Sequence, residues 1–234
     1  MTNINQSKFK KATQVFNSVY NKYDIMNDLM SLGAHRIWKQ RLIHWMNPKK
    51  GDYLIDIASG TGDIAKAFLE RTKLSGQVTC VEPNNLMLNE GKKKLKNFKN
   101  INWCLSAAEN LPFKDETFDI YSVSFGVRNF SDINKALKEA RRVLKKGGRF
   151  ICLEFSKVDN EIINKFYRIY SKSIPLLGKY IVGKSEPYEY LIKTIEEFYS
   201  QEEFSKIIGD NGFINVEYRN LLSGIATIHS AWKV

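Results

Sequence analysis

Residues 54–63, LIDIASGTGD, constrain the fold of this chain more than any other stretch. Leu54, Ile55 and Ile57 form a short apolar run that stops at glycines, and residues 64–69 continue with helical spacing. That pattern is a buried parallel strand passing through a tight turn into a helix. Gly60 and Gly62 admit backbone angles that other residues avoid, and let a ligand approach the main chain. A helix start at the turn also offers N–H groups to acceptor atoms. The segment reads as a nucleotide-type pocket.

Gly60-Thr61-Gly62-Asp63-Ile64-Ala65 fits the dinucleotide pattern G-x-G-x-x-A, but the flanking charges argue against a dinucleotide. Asp56 closes the strand and Asp63 follows the second glycine, so two carboxylates ring the place where a pyrophosphate would lie. Like charges at that range repel, more strongly away from bulk water. S-adenosylmethionine has no phosphate and carries an ammonium, a sulfonium and one carboxylate, so acidic surroundings suit it. Glu82 ends the next strand, 26 residues after Asp56. A carboxylate there can accept hydrogen bonds from both hydroxyls of a ribose. Asp56 and Glu82 together point to an adenosyl ligand.

The rest of the chain supplies the sheet around this pocket. Strands are expected at about 53–58, 78–82, 101–105, 118–125 and 149–154, with a helix over about 132–144 that closes at Gly147-Gly148. Such alternation implies an α/β fold, a parallel sheet covered by helices on both faces. Residues 8–46 read as helices, with Val15, Phe16, Val19 and Tyr20 at helical spacing. A further strand-like run begins at Phe213. A crossover needs one helix, so residues 156–212 contain more chain than the topology requires. They leave from the carboxyl edge of the sheet, where ligands bind, and are read as a substrate cover; an accessory helical pair is the alternative. At 234 residues, with no repeats or linkers, one domain is expected over 1–234, with a helical segment at 1–50.

Composition narrows the class of protein. No apolar run approaches the ~18 residues of a membrane span, and the opening residues lack a signal peptide's apolar stretch, so a cytoplasmic location is expected. Cys80, Cys104 and Cys152 are widely spaced in strand-like runs and read as reduced thiols. The histidines (His35, His44, His229) have no metal-ligand spacing, so no metal is expected. The net charge of +11 is unevenly spread: residues 1–50 hold nine Lys and Arg against Asp24 and Asp28. Basic blocks at 92–99 and 138–149 add to it. Such patches suit nucleic acid or an anionic membrane, or are simply a solvated lysine-rich surface.

Two longer motifs narrow the reading. Tyr23-Asp24-Ile25-Met26-Asn27 runs through Met30-Ser31 to His35, and Arg142-Val143-Leu144-Lys145 with Gly147-Gly148 runs through Glu154-Phe155-Ser156. Together with FGVRN at 125–129, they make the chain resemble the ubiquinone/menaquinone biosynthesis C-methyltransferases over nearly its whole length. The resemblance implies a class I, Rossmann-like methyltransferase fold with seven strands, the last antiparallel. It implies S-adenosylmethionine as cofactor, with contacts at Thr61, Glu82, Ala107, Ala108 and Ser124. Family members carry Asp or Asn where Ala107 stands, so a side-chain bond to the adenine amino group is lost and the Ala108 N–H remains. The implied reaction joins a methyl group to a ring carbon of a polyprenylated quinol. The 2-polyprenyl-6-methoxy-1,4-benzoquinol is favoured, and a demethylmenaquinol is the alternative.

On that reading Arg128 stabilises the phenolate or positions a water, Asn129 fixes the ring, and Tyr23 and Asn27 line the quinol side. The alternative for Arg128 is a salt bridge that fastens its loop. The polyprenyl tail keeps the substrate in the bilayer, so peripheral attachment to the inner face of the membrane is expected. A homodimer or a complex of quinone-biosynthesis enzymes stays open. A nucleic-acid methyltransferase is the rival reading of the +11 charge, but no aromatic-proline motif that would hold a flipped base follows the fourth strand. A non-catalytic cofactor-binding scaffold is the third.

Overall fold

In the computed structural model, residues 13–15, 17–18, 23–159, 161–183 and 185–234 are described, without the side chains of residues 23, 24, 166, 168, 172 and 176–182. Phe16, Val19 and Tyr20 therefore lie outside the described residues, while 13–15 and 17–18 are helical. Helices α1 (Tyr23–Ser31) and α2 (Ala34–Met46) follow. Gly33, with φ 77°, makes the reversal between them.

Seven strands form one sheet in the order β3-β2-β1-β4-β5-β7-β6. Strands β1 (Tyr53–Ile57), β2 (Gln77–Val81), β3 (Ile101–Cys104), β4 (Phe118–Ser124) and β5 (Leu144–Phe155) run parallel. Between them lie α3 (Asp63–Arg71), α4 (Asn85–Lys94) and α5 (Ile133–Val143). Strand β7 (Ala226–Trp232) is antiparallel to both β5 and β6 (Ile214–Leu221). The central strands β1, β4 and β5 are apolar because both faces are covered, whereas the edge strand β6 is largely exposed. One core contains Trp38, Leu42, Phe68 and Leu191, and the other contains Phe118, Leu137, Phe150 and Phe204.

Two boundaries differ from those expected. Helix α5 ends at Val143, before Gly147-Gly148. The glycines instead belong to β5, which begins at Leu144 through an irregular pairing with Phe118. Gly148 has the Asp119 carbonyl 3.2 Å from where a Cβ would stand, so close backbone approach explains the glycine better than helix termination. The 156–212 stretch holds α6 (Glu161–Val182), α7 (Glu186–Glu196) and α8 (Gln201–Asp210). Helix α8 starts in a capping box built by Ser200 and Glu203 and leads directly into β6. It is the ordinary crossover, so the surplus chain is α6 and α7 alone. These two helices pack on each other and on α1, where the Tyr170 hydroxyl donates to the Leu29 carbonyl.

Strands β1 and β4 are neighbours, yet β1 connects onward to β2 and β4 to β5. The chain therefore leaves their carboxyl ends in opposite directions and opens a crevice there. Helices α6 and α7 follow β5 from the same edge.

Candidate active site

The crevice is built from three strand exits that nearly touch. Ala58 after β1 and Phe125 after β4 both take left-handed backbone angles, φ 50° and 56°, which are strained for residues with side chains. A Cβ on Gly126 would stand 2.5 Å from the Ala58 Cβ, so only glycine lets the two loops approach this closely. Glu82 ties in the third exit. Its Oε2 accepts the Gly60 N–H at 2.9 Å and its Oε1 accepts the Asn84 N–H at 2.9 Å.

The glycine turn does less for a ligand than its spacing implied. The N–H groups of Ser59, Gly60 and Gly62 are already donated to Val81, Glu82 and Ser59. Gly62 is required by packing, because a Cβ there would lie 2.6 Å from Leu95 Cδ1 and 3.0 Å from the Trp103 ring. Beyond those three N–H groups, the turn has its side chains to offer a ligand.

Two adjoining cavities occupy the crevice. The larger holds about 710 Å³ of free space and is lined by Glu82, Met87, Ala107, Ala108, Asn129 and Phe130 among others. The smaller, about 350 Å³, is lined by Lys39, Asp56, Ser59, Thr61, Asp63 and Ser124, and shares Ala58, Gly60 and Phe125 with the first. The first is mostly apolar around two carboxylates, Glu82 and Glu109, of which Glu109 already accepts from Ser131 and Asp132, whereas the second carries charge of both signs.

Asp56 is 1% exposed. Its Oδ1 accepts from the Ser122 hydroxyl at 2.7 Å, and its Oδ2 has no hydrogen-bond partner among the described residues. Burial pushes its pKa up to about 7. Burial also pushes Glu82 up to about 7, despite its two backbone donors. Asp63 differs. Burial works to raise its pKa, but Lys39 at 2.7 Å and Lys94 at 2.8 Å hold it well below the usual carboxylate range. In the same cavity as Asp56, the Ser59 and Ser124 hydroxyls are also buried without hydrogen-bond partners among the described residues. Buried polar groups are normally satisfied. An unpaired carboxylate oxygen next to two free hydroxyls therefore fits the ammonium-bearing end of S-adenosylmethionine.

The remaining expected residues are distributed as follows. Thr61 is buried, and its hydroxyl accepts from Lys94 at 3.2 Å. Asn129 lines the larger cavity, and its Oδ1 accepts from the Tyr190 hydroxyl at 3.0 Å, which couples α7 to the cavity. Tyr23 begins α1, but its side chain lies outside the described residues. Asn27 is buried, and its Nδ2 has no partner among the described residues. In the first motif, His35 Nε2 lies 2.8 Å from Asp28, which Arg36 also grips at 2.7 Å, so these residues join α1 to α2.

Arg128 is 4% exposed and does not face the cleft as a free cation. One guanidinium nitrogen lies 2.5 Å from Glu154 Oε1 and donates to the Phe125 carbonyl at 2.8 Å. The guanidinium also lies 5.6 Å from the centre of the Phe155 ring. The arrangement is the loop-fastening salt bridge weighed above as the alternative, although its Nε has no partner among the described residues. Lys39 and the Arg128–Glu154 partnership were not picked out from the sequence. Their partners lie 24 and 26 residues away, a separation at which no local pattern registers.

Comparison with known proteins agrees with the geometry. The ubiE/COQ5 methyltransferase family profile matches residues 1–233. A Rickettsia bellii protein named ubiquinone/menaquinone biosynthesis C-methyltransferase UbiE is 48% identical over 230 residues, covering 95% of this chain and 92% of its own length. The Bos taurus mitochondrial 2-methoxy-6-polyprenyl-1,4-benzoquinol methylase is 44% identical, covering 98% of this chain and 81% of its own length. A SAM-dependent methyltransferase from Aquifex aeolicus has the same fold, with a TM-score of 0.67 at 20% identity, over 93% of this chain and 98% of that one.

Two outcomes follow from the buried charges. Asp56 and Glu82 bind protons more tightly in the folded chain than in the unfolded one. Their stabilisation is complete below about pH 4 and is lost as pH rises through about 7. Thermal melts of the cofactor-free protein should therefore fall between about pH 4 and 7 and level off above it, and Asp56→Asn should flatten that fall. Arg128→Ala should cost about 3–5 kcal/mol in urea denaturation, because it leaves the Glu154 carboxylate buried without a counter-charge.

Proposed function

The chain belongs to the ubiE/COQ5 methyltransferase family, and from that premise we propose that it C-methylates the ring of a polyprenylated quinol in ubiquinone or menaquinone biosynthesis. It is an S-adenosylmethionine-dependent enzyme. The observation that best supports the reading is the unpartnered Asp56 oxygen, in an acidic cavity adjoining an apolar cleft that ends at Asn129. The cofactor supplies an electrophilic methyl group on a cationic sulfur. The chain's own residues do the rest. Asp56 attracts the ammonium of the ligand, and Glu82, with one lone pair on each oxygen still available beside its backbone donors, accepts from the ribose. Met87, Ala107, Ala108 and Phe130 give the adenine an apolar slot, and Thr61 and Ser124 lend hydroxyls. Gly60 keeps the turn close, Gly62 packs beneath it, and Asp63 orders the lysines at its edge.

On the substrate side, Asn129 offers an amide to the ring oxygens, held in place by Tyr190. Arg128 serves as a positioning residue: through Glu154 it holds the FGVRN loop, and so Asn129, at the cleft. Holding reacting atoms near ~3–3.5 Å in line is where much of the rate comes from, and a fixed loop favours it. A third cavity of about 920 Å³, lined by Met30, Val158, Tyr167, Ile192 and Ile195 with several polar groups, lies between α1 and the cover. It gives the apolar part of the quinol a place under α6 and α7. The benzoquinol is the favoured substrate, in line with what the Bos taurus relative is named for. Quinones should be profiled by mass spectrometry in a bacterial host lacking its own enzyme. The methylated benzoquinone is expected to return on complementation, and a profile with neither quinone restored would remove the assignment.

A tail-bearing quinol requires the enzyme to reach the bilayer. Among the described residues no helix is long and apolar enough to cross a membrane. Contact is instead proposed through the basic amino-terminal region, where Ile25, Leu32 and Ile37 are 45%, 77% and 59% exposed. Each exposed Lys or Arg contributes on the order of 1 kcal/mol near anionic lipid. Co-sedimentation with anionic vesicles should weaken as salt is raised, and Leu32→Asp should reduce it further; binding indifferent to both would contradict the proposal.

A further inference from the structure

We propose that Lys39, on α2, is the counter-ion for the carboxylate at the aminoacyl end of S-adenosylmethionine; this rests on the cofactor reading above. That end of the cofactor is a zwitterion. The small cavity next to the cleft has an acceptor for its ammonium in Asp56 Oδ2, but its other acid, Asp63, would repel its carboxylate. The usual alternative, the N–H groups of the glycine turn, is closed at Ser59, Gly60 and Gly62, each of which already donates within the protein. Among the described residues that line this cavity, Lys39 is the cation. Its side chain is 14% exposed, and its Nζ lies 2.7 Å from Asp63 Oδ2.

Two features leave Lys39 available. An ammonium has three donors, so one bond to Asp63 does not exhaust it. Asp63 is also held from its other oxygen by Lys94, at 2.8 Å, so it keeps a counter-charge if Lys39 turns toward a ligand. Lys94 itself is 37% exposed and reaches Asp63 from the α4 side, whereas Lys39 lines the cavity. Asp63 thus orients Lys39, and Lys39 gives an otherwise acidic cavity a site for an anion.

The test compares S-adenosylmethionine with decarboxylated S-adenosylmethionine, which lacks that carboxylate alone, by calorimetry on the wild type and Lys39→Met. The acidic cavity by itself favours the more cationic, decarboxylated ligand. The wild type should nevertheless prefer the full cofactor by roughly tenfold or more, the scale of a charge-assisted hydrogen bond. Lys39→Met should abolish the preference while leaving decarboxylated S-adenosylmethionine binding within about twofold. Lys39→Arg should restore it. Equal loss of both ligands, or a preference that survives in Lys39→Met, overturns the proposal. Should Lys39→Met fail to fold, Lys39→Gln gives the same comparison. A wild type that binds neither ligand would instead strike at the cofactor assignment itself.

Discussion

Two carboxylates kept out of water at the ends of adjacent strands set the terms for everything around them. Asp56 on β1 and Glu82 after β2 are almost fully buried, and burial raises both toward neutrality. An unpaired buried acid destabilises a free protein and attracts a cationic ligand. Glu82 clamps the Gly60 turn to the exit of β2 through its backbone hydrogen bonds, so the group proposed to meet a ribose also builds the pocket wall. Asp63 stands apart because two lysines already satisfy it. Three acids that look alike in sequence thus have three environments, and environment separates their roles.

The second organising contact is the buried pair Arg128–Glu154, which joins the loop after β4 to the end of β5. Desolvating both ions is costly, and such pairs seldom add net stability over apolar packing. Its use here is geometric. The guanidinium also holds the Phe125 carbonyl, and Phe125 sits in a strained backbone conformation at the mouth of the crevice. The pair therefore holds in place a loop whose next residue, Asn129, faces the cleft and bonds to Tyr190 of the cover. Strand exit, ion pair and helix α7 form one mechanical connection across the crevice.

Much of the framework was legible in the chain. Apolar runs ending at glycine located β1 and β4, and the alternation of strand and helix located the parallel sheet, because local hydrophobic period reports which faces are buried. Asp56 and Glu82 were legible for a related reason: an acid at the end of an apolar strand has few places to be other than the sheet's carboxyl edge. The errors fell where non-local contacts decide. Gly147-Gly148 looked like a helix stop, yet the pair serves the β5 edge against β4 and β7. The region after β5 looked like one insertion, yet α8 is the crossover into β6.

What the amino-acid order alone determined was the scaffold and the class of ligand: a doubly covered parallel sheet with acids, and no phosphate cradle, at its switch point. Those follow from periodicity and from charge at fixed strand positions, both of which are local. Only the tertiary structure decided which charges are satisfied. Arg128 proved to be taken up by Glu154, Asp63 by Lys39 and Lys94, and the Ser59, Gly60 and Gly62 amides by their own neighbours, while Asp56 was left with an oxygen that has no partner among the described residues. Pairing is a matter of which side chains meet in space across 20 or more residues of chain, as for Lys39 with Asp63 and Arg128 with Glu154, and burial then multiplies the consequence of each partner gained or missed.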